Sequence, residues 1–138
     1  MKEIYLISCV KSKLPYPAKA RNLYVSTLFK LSLKYAQQQT PDAIYILSAK
    51  YGLLPLDTVI APYELTLNTM STSERRHWAK GVVAQLREGT DLEKDLFVFL
   101  AGKKYREFLL PELKKFDVPF KGLTFGKLLS ELKRRTST

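Results

Sequence analysis

One cysteine, one histidine and six glycines are the scarce residues of this 138-residue chain. Cys9 has no second cysteine to pair with, which excludes a disulfide framework within the sequence. A single Cys and a single His (His77) leave no recognisable metal-ligand spacing, and no metal or other cofactor is expected. With so few glycines, neither G-x-x-x-x-G-K-S/T nor G-x-G-x-x-G occurs, so the phosphate loops that depend on those strings are excluded. No apolar run approaches the roughly 18 residues that a membrane span needs. Met1-Lys2-Glu3 leads into only a six-residue apolar-rich strand, too short for a secretory signal. The expectation is a single soluble domain over residues 1–138, cytoplasmic, with no membrane partner.

What is present is hydrophobic residues at 46%, aromatic residues at 12% and a formal charge of +10. The first two can fill a core and exclude global disorder. The charge is unevenly placed. Residues 1–22 carry five bases against Glu3, and residues 102–138 carry ten bases against four acids, whereas 23–101 sum to zero. A fold that brings the two terminal stretches together gains a basic face, suited to nucleic acid or a phosphate-bearing nucleotide. Lys133, Arg134 and Arg135 could equally be a solvated tail.

Three runs read as strands: Glu3–Ser8, Asp42–Ser48 and Asp95–Leu100. Each is apolar at nearly every position, the pattern of strands buried on both faces in a parallel sheet. Helical spacing links Leu28, Leu31, Tyr35 and Ala36 behind a Ser26 N-cap. Ser71-Thr72-Ser73-Glu74 has capping-box spacing and opens a helix through Trp78, Val82, Val83 and Leu86, closed by Gly89. Tyr105, Phe108, Leu109 and Leu113 form a third stripe broken at Pro111, and a last helix is expected over Lys127–Arg135. Alternating strands and helices imply a three-layer α/β/α fold with a short, mainly parallel sheet of about four strands. There is no repeat, low-complexity tract or linker. Ala49–Met70 breaks the rhythm as a long irregular loop, with Val59-Ile60 as a short extra strand within it.

Ligands of open parallel sheets bind beyond the carboxyl ends of the strands. Here those ends run into Ser8-Cys9-Val10-Lys11-Ser12-Lys13, Ser48-Ala49-Lys50-Tyr51-Gly52 and Ala101-Gly102-Lys103-Lys104-Tyr105. Each offers a small residue, which lets backbone N–H groups approach a ligand, and then a lysine that can meet a phosphate. The binding candidates are therefore Ser8, Lys11, Lys13, Ser48, Lys50, Tyr51, Gly52, Gly102 and Lys103. Tyr63, with Tyr51, is placed in the loop to stack on a base. Gly126-Lys127 is a weaker anion cradle.

The strings I-S-C-x-K-S-K (Ile7–Lys13), L-Y-x-S-x-L-F-K (Leu23–Lys30), L-S-A-K-Y-G-L (Leu47–Leu53), P-Y-x-x-x-L (Pro62–Leu67) and A-G-K-K-Y (Ala101–Tyr105) resemble a bacterial, archaeal and phage domain family of unknown function. That family is more distantly similar to uracil-DNA glycosylase-like and YaaA-like α/β/α domains, a resemblance that implies nucleic-acid or base-handling chemistry. The water-activating G-Q-D-P-Y and late H-P-S strings of uracil-DNA glycosylases are missing, so no catalytic residue carries over.

Two catalytic candidates follow from the residues themselves. Asp57, just past Pro55-Leu56, is either a water-activating carboxylate or a turn acceptor, and Glu64 is the next choice. Cys9, beside Ser8 and Lys11, is either an activated thiol or a small buried residue at a strand end. Lys11 and Lys50 would bind phosphate as point charges or, if desolvated, act as Schiff-base amines. Tyr24, Tyr105 and Trp78 lie on or before helical stripes and read as core, and His77 as solvated. The function expected is nucleic-acid binding or processing, glycosylase-like on a modified base. The alternatives are a small-molecule nucleotide or sugar-phosphate enzyme, and a non-catalytic interaction module.

Overall fold

The computed structural model describes residues 1–8 and 12–137. The chain runs β1 (Glu3–Ser8), β2 (Ala18–Lys19), α1 (Ala20–Leu23), α2 (Thr27–Gln38), β3 (Ala43–Ser48), β4 (Gly52–Pro55) and β5 (Val59–Ile60). A short 3-10 turn, Leu67–Thr69, leads to α3 (Thr72–Gly89), β6 (Leu96–Leu100) and α4 (Lys103–Arg106). A second 3-10 turn, Leu110–Glu112, precedes β7 (Lys115–Asp117) and α5 (Phe125–Thr136).

Five strands form the main sheet in the order β4-β3-β1-β6-β7, and β2 and β5 form a separate two-stranded ribbon. β1 is central, parallel to β3 on one side (Ile7 beside Ile46) and to β6 on the other (Ile7 beside Leu100). Ile4, Tyr5, Leu6 and Ile7 are all buried, because helices cover both faces of this strand. β7 continues the sheet in parallel, whereas β4 folds back antiparallel on β3. The fold is thus the expected three-layer α/β/α class, with five strands rather than about four.

The connections place the helices. The chain passes from β1 to β3 in one direction and then back across β1 to β6 in the other. Right-handed crossovers of opposite direction put α2 and α3 on opposite faces. α5 joins α2 on its face, and α3 packs against β4 on the other. Three caps start the long helices. Ser26 Oγ accepts from Phe29 N at 3.1 Å, and Thr124 Oγ1 accepts from Lys127 N at 3.4 Å. Ser71 and Glu74 form the full reciprocal box, at 3.1 and 3.0 Å.

Two departures from the sequence pattern have local causes. The third apolar stripe is one short helix, α4, and a separate 3-10 turn containing Pro111, since proline cannot continue the hydrogen-bond ladder. The long loop contains β4 as well as β5. β4 begins at Gly52, whose φ of +74° turns the chain back directly after β3. Among the described residues no helix is long and apolar enough to cross a membrane.

Candidate functional site

A cleft of about 1070 Å³ opens beyond the carboxyl ends of β1 and β6. Its position follows from topology. The chain leaves β1 toward β3 and leaves β6 toward β7, so the two loops diverge and a crevice is left between adjacent strands. Ser8 closes β1 and Ala101-Gly102 follow β6, with Gly102 N donating to Ser8 Oγ at 3.3 Å across the gap. The remaining walls come from the start of α2 (Ser26, Leu28, Ser32), the 63–69 loop, α4, the 118–123 segment and the inner face of α5.

Among the described residues the wall carries five cations, Lys13, Lys103, Lys104, Arg106 and Lys121, against one carboxylate, Glu64. Arg106 Nη1 donates to Ala101 O at 2.7 Å and holds the end of β6. Lys104 Nζ donates to Asn68 O at 3.2 Å and straps the loop over α4. Lys103 and Lys121 form no ion pair among the described residues. Lys13 is drawn to the rim because residues 12–14 pair with 23–25 (Leu14 N to Leu23 O, 2.8 Å; Val25 N to Ser12 O, 2.9 Å). Its ammonium lies 4.6 Å from the Tyr63 ring centre, a cation–π contact.

Tyr63 anchors the loop. Its hydroxyl meets Tyr24 Oη and Ser48 Oγ, each at 2.7 Å, and Ser48 Oγ also accepts from Tyr51 N at 3.1 Å. Trp78 Nε1 donates to Ser48 O at 2.9 Å, and the Trp78 ring stands edge-on to Tyr105 at 5.8 Å. Tyr105 in turn takes Leu67 N on its hydroxyl at 3.4 Å. These aromatic side chains fasten the end of β3 and the loop to α3 and α4. A second clasp, Arg75 to Glu107, ties α3 to the segment after α4 and holds the Glu107 carboxyl below its ordinary range.

Of the residues singled out in the sequence, the structure brings Ser8, Lys13, Tyr63, Glu64, Gly102 and Lys103 together at the cleft. Ser48, Lys50, Tyr51 and Gly52 lie elsewhere, because the end of β3 is a tight hairpin into β4 rather than an open rim. Ser48 is fully buried, and Lys50 is exposed with its ammonium 5.4 Å from the Tyr51 ring centre. Asp57 also lies outside the cleft, since β4 carries the chain back from the strand ends. Its side chain is 63% exposed and paired with Arg21 at 2.7 Å, an ordinary surface ion pair. Cys9 and Lys11 fall outside the described residues. Lys104, Arg106 and Lys121 join the site, as do Ser32, Leu28, Phe120, Leu128 and Leu132 from the helical layer. One signal of that second group was present. Ser32 is a polar residue four positions after Leu28 on the buried stripe of α2, where only apolar side chains are otherwise needed.

The Tyr5 phenol is pushed up to about 12, chiefly by burial within the central strand. It lies outside the cleft and reflects packing. Among the described residues no group of three or more His, Cys, Asp or Glu is placed to hold a metal ion.

No curated protein matches this sequence. Residues 4–134 match the profile of DUF6884, a family of unknown function, and the chain belongs to that family.

Proposed function

We propose that this protein binds and processes nucleic acid, holding a phosphate group in the cleft beyond β1 and β6. The observation that supports this is the wall's charge, five cations and one carboxylate among the described residues at the crevice where an open α/β sheet binds its ligands. Ser8, Ser12 and Thr66 add hydroxyls there, and Gly102 leaves space for a close approach by the ligand. The distant similarity to uracil-DNA glycosylase-like and YaaA-like domains points the same way. In a base-excising reaction the flipped nucleotide needs a carboxylate near the sugar to stabilise developing positive charge or direct water. Glu64 stands in the cleft for that role and Asp57 does not.

One observation favours a free nucleotide or sugar phosphate as the substrate instead. The cleft volume, about 1070 Å³, is that of a generous small-molecule site, and the bases Lys114 and Lys115 lie outside it.

The test is fluorescence anisotropy with a single-stranded oligonucleotide across a salt series, using the wild type and the K103E/K121E variant. These two lysines form no ion pair among the described residues, so the fold should survive their reversal. Three or four phosphate contacts would give a slope of log K against log salt of about −2 to −3. The charge reversal should flatten that slope. A salt-independent affinity, or one unchanged in the variant, would remove the cleft as a phosphate site.

A further inference from the structure

Resting on that phosphate reading, we infer that the cleft also holds a nucleobase recess between α2 and α5, read by the Ser32 hydroxyl, so that the bound unit is a whole nucleotide. Ser32 is 4% exposed, lines the cleft, and makes no side-chain hydrogen bond to any described residue. The hydroxyl is not sealed within the helical layer but opens on the cleft, so it is free to pair with a ligand there. Its neighbours along the wall are apolar: Leu28 one turn earlier on α2, Leu128 and Leu132 on α5, and Phe120 on the segment between β7 and α5.

Phe120 is held in place rather than free to fold inward. Its ring meets Tyr35 edge-on at 5.2 Å, and the Arg135 guanidinium lies 5.7 Å from its centre. The recess therefore presents rigid apolar walls and one hydroxyl that can donate or accept.

That combination selects among ligand parts. A sugar ring carries several hydroxyls and would leave most of them unpaired against leucines. An acyl chain would leave Ser32 unsatisfied. A nucleobase has two apolar faces for the walls and a polar edge for a single hydroxyl. Three of the cations, Lys13, Lys103 and Lys104, follow the strand ends, where the phosphate of the same nucleotide would sit, and Lys121 follows Phe120 on the wall. One serine cannot read a full Watson–Crick edge, so discrimination among the four bases should be weak.

The experiment is calorimetric titration of the protein with the four ribonucleoside 5′-monophosphates and with ribose 5-phosphate, repeated on S32A. A hexauridylate strand and its abasic counterpart form the polymer arms. The expected result is mononucleotide binding at least about tenfold tighter than ribose 5-phosphate, with the bases within about tenfold of one another. In S32A that advantage should shrink by about five- to tenfold, the effect of one neutral hydrogen bond, while ribose 5-phosphate binds as before. A base advantage confined to the strand would assign the recess to polymer, and one confined to monophosphates would assign it to free nucleotide. Equal affinity for ribose 5-phosphate and mononucleotides, or binding unchanged in S32A, would overturn the recess. Failure of every phosphate compound to bind, ribose 5-phosphate included, would instead overturn the phosphate reading beneath it.

Discussion

Replacing Tyr63 by Phe should destabilise the protein by about 2 kcal/mol, from two hydrogen bonds worth roughly 1 kcal/mol each. Phenylalanine keeps the ring that stands edge-on to Tyr51 at 5.7 Å and lies under the Lys13 ammonium. Only the hydroxyl is lost, and with it two 2.7 Å bonds, to Tyr24 Oη and Ser48 Oγ. Both partners are sealed from water, at 1% and 0% exposure, so solvent cannot replace the lost hydroxyl. For 138 residues, an unfolding entropy of roughly 2.1 cal/mol/K per residue gives about 290 cal/mol/K near the melting temperature. Two kcal/mol then lowers Tm by about 7 °C. Calorimetry reads this directly, and urea unfolding should show an unchanged slope with the midpoint shifted by about 1 M. S48A and the Y63F/S48A double variant complete a cycle in which the losses should be less than additive, because both remove the same bond. A Y63F melt within about 1 °C of wild type would refute the idea that this hydroxyl cluster fastens the loop to β3.

Other perturbations separate the structural roles. G52A should cost about 2–3 kcal/mol, since φ is +74° and the new Cβ would stand 2.4 Å from Gln85 Oε1, which accepts from Leu53 N; a neutral urea midpoint would contradict this. D57N should change stability by less than about 0.5 kcal/mol and leave oligonucleotide affinity intact, because its partner Arg21 is at the surface and neither residue lines the cleft. S71A should lower stability by about 1 kcal/mol through loss of the α3 cap, measurable by urea unfolding. Asp95 accepts backbone N–H groups from Asp91 (2.8 Å) and Lys2 (2.9 Å), which hold its carboxyl below the ordinary 3.8. A depressed carboxyl stabilises the fold above its unfolded-state value and stops doing so as pH falls through its folded-state value. The wild-type advantage over D95N should therefore be full near neutrality and shrink below about pH 4, and an advantage independent of pH would contradict it.

The central layer was legible because burial on both faces leaves a near-continuous apolar run, as in β1 and β6. The helix starts were legible for a different reason. Ser26 and Ser71 meet orphan backbone donors through their own side chains, a contact local in sequence. β4 and β7 were not visible. β4 is four residues ending in Pro55, and β7 is a three-residue edge strand exposed along its length, so neither carries a two-sided burial pattern. The site divided similarly. Ser8, Lys13, Gly102 and Lys103 could be placed at the cleft from sequence because they follow open strand ends. Lys50 and Asp57 lie away from the cleft because of β4, which the sequence pattern did not show and whose antiparallel pairing closes one strand end and turns the chain away. Lys121 and Phe120 could not be assigned from spacing, since only the packing of α5 beside α2 brings their segment to the strand ends.

The most direct measurement of the central claim is amide chemical-shift mapping by NMR during titration with inorganic phosphate and then uridine 5′-monophosphate. The account predicts saturable shifts at Ser8, Gly102, Lys103 and Lys104 with both ligands, extending to Leu28 and Ser32 only with the nucleotide. Shifts confined to Lys133, Arg134 and Arg135, or none at the ends of β1 and β6, would contradict it.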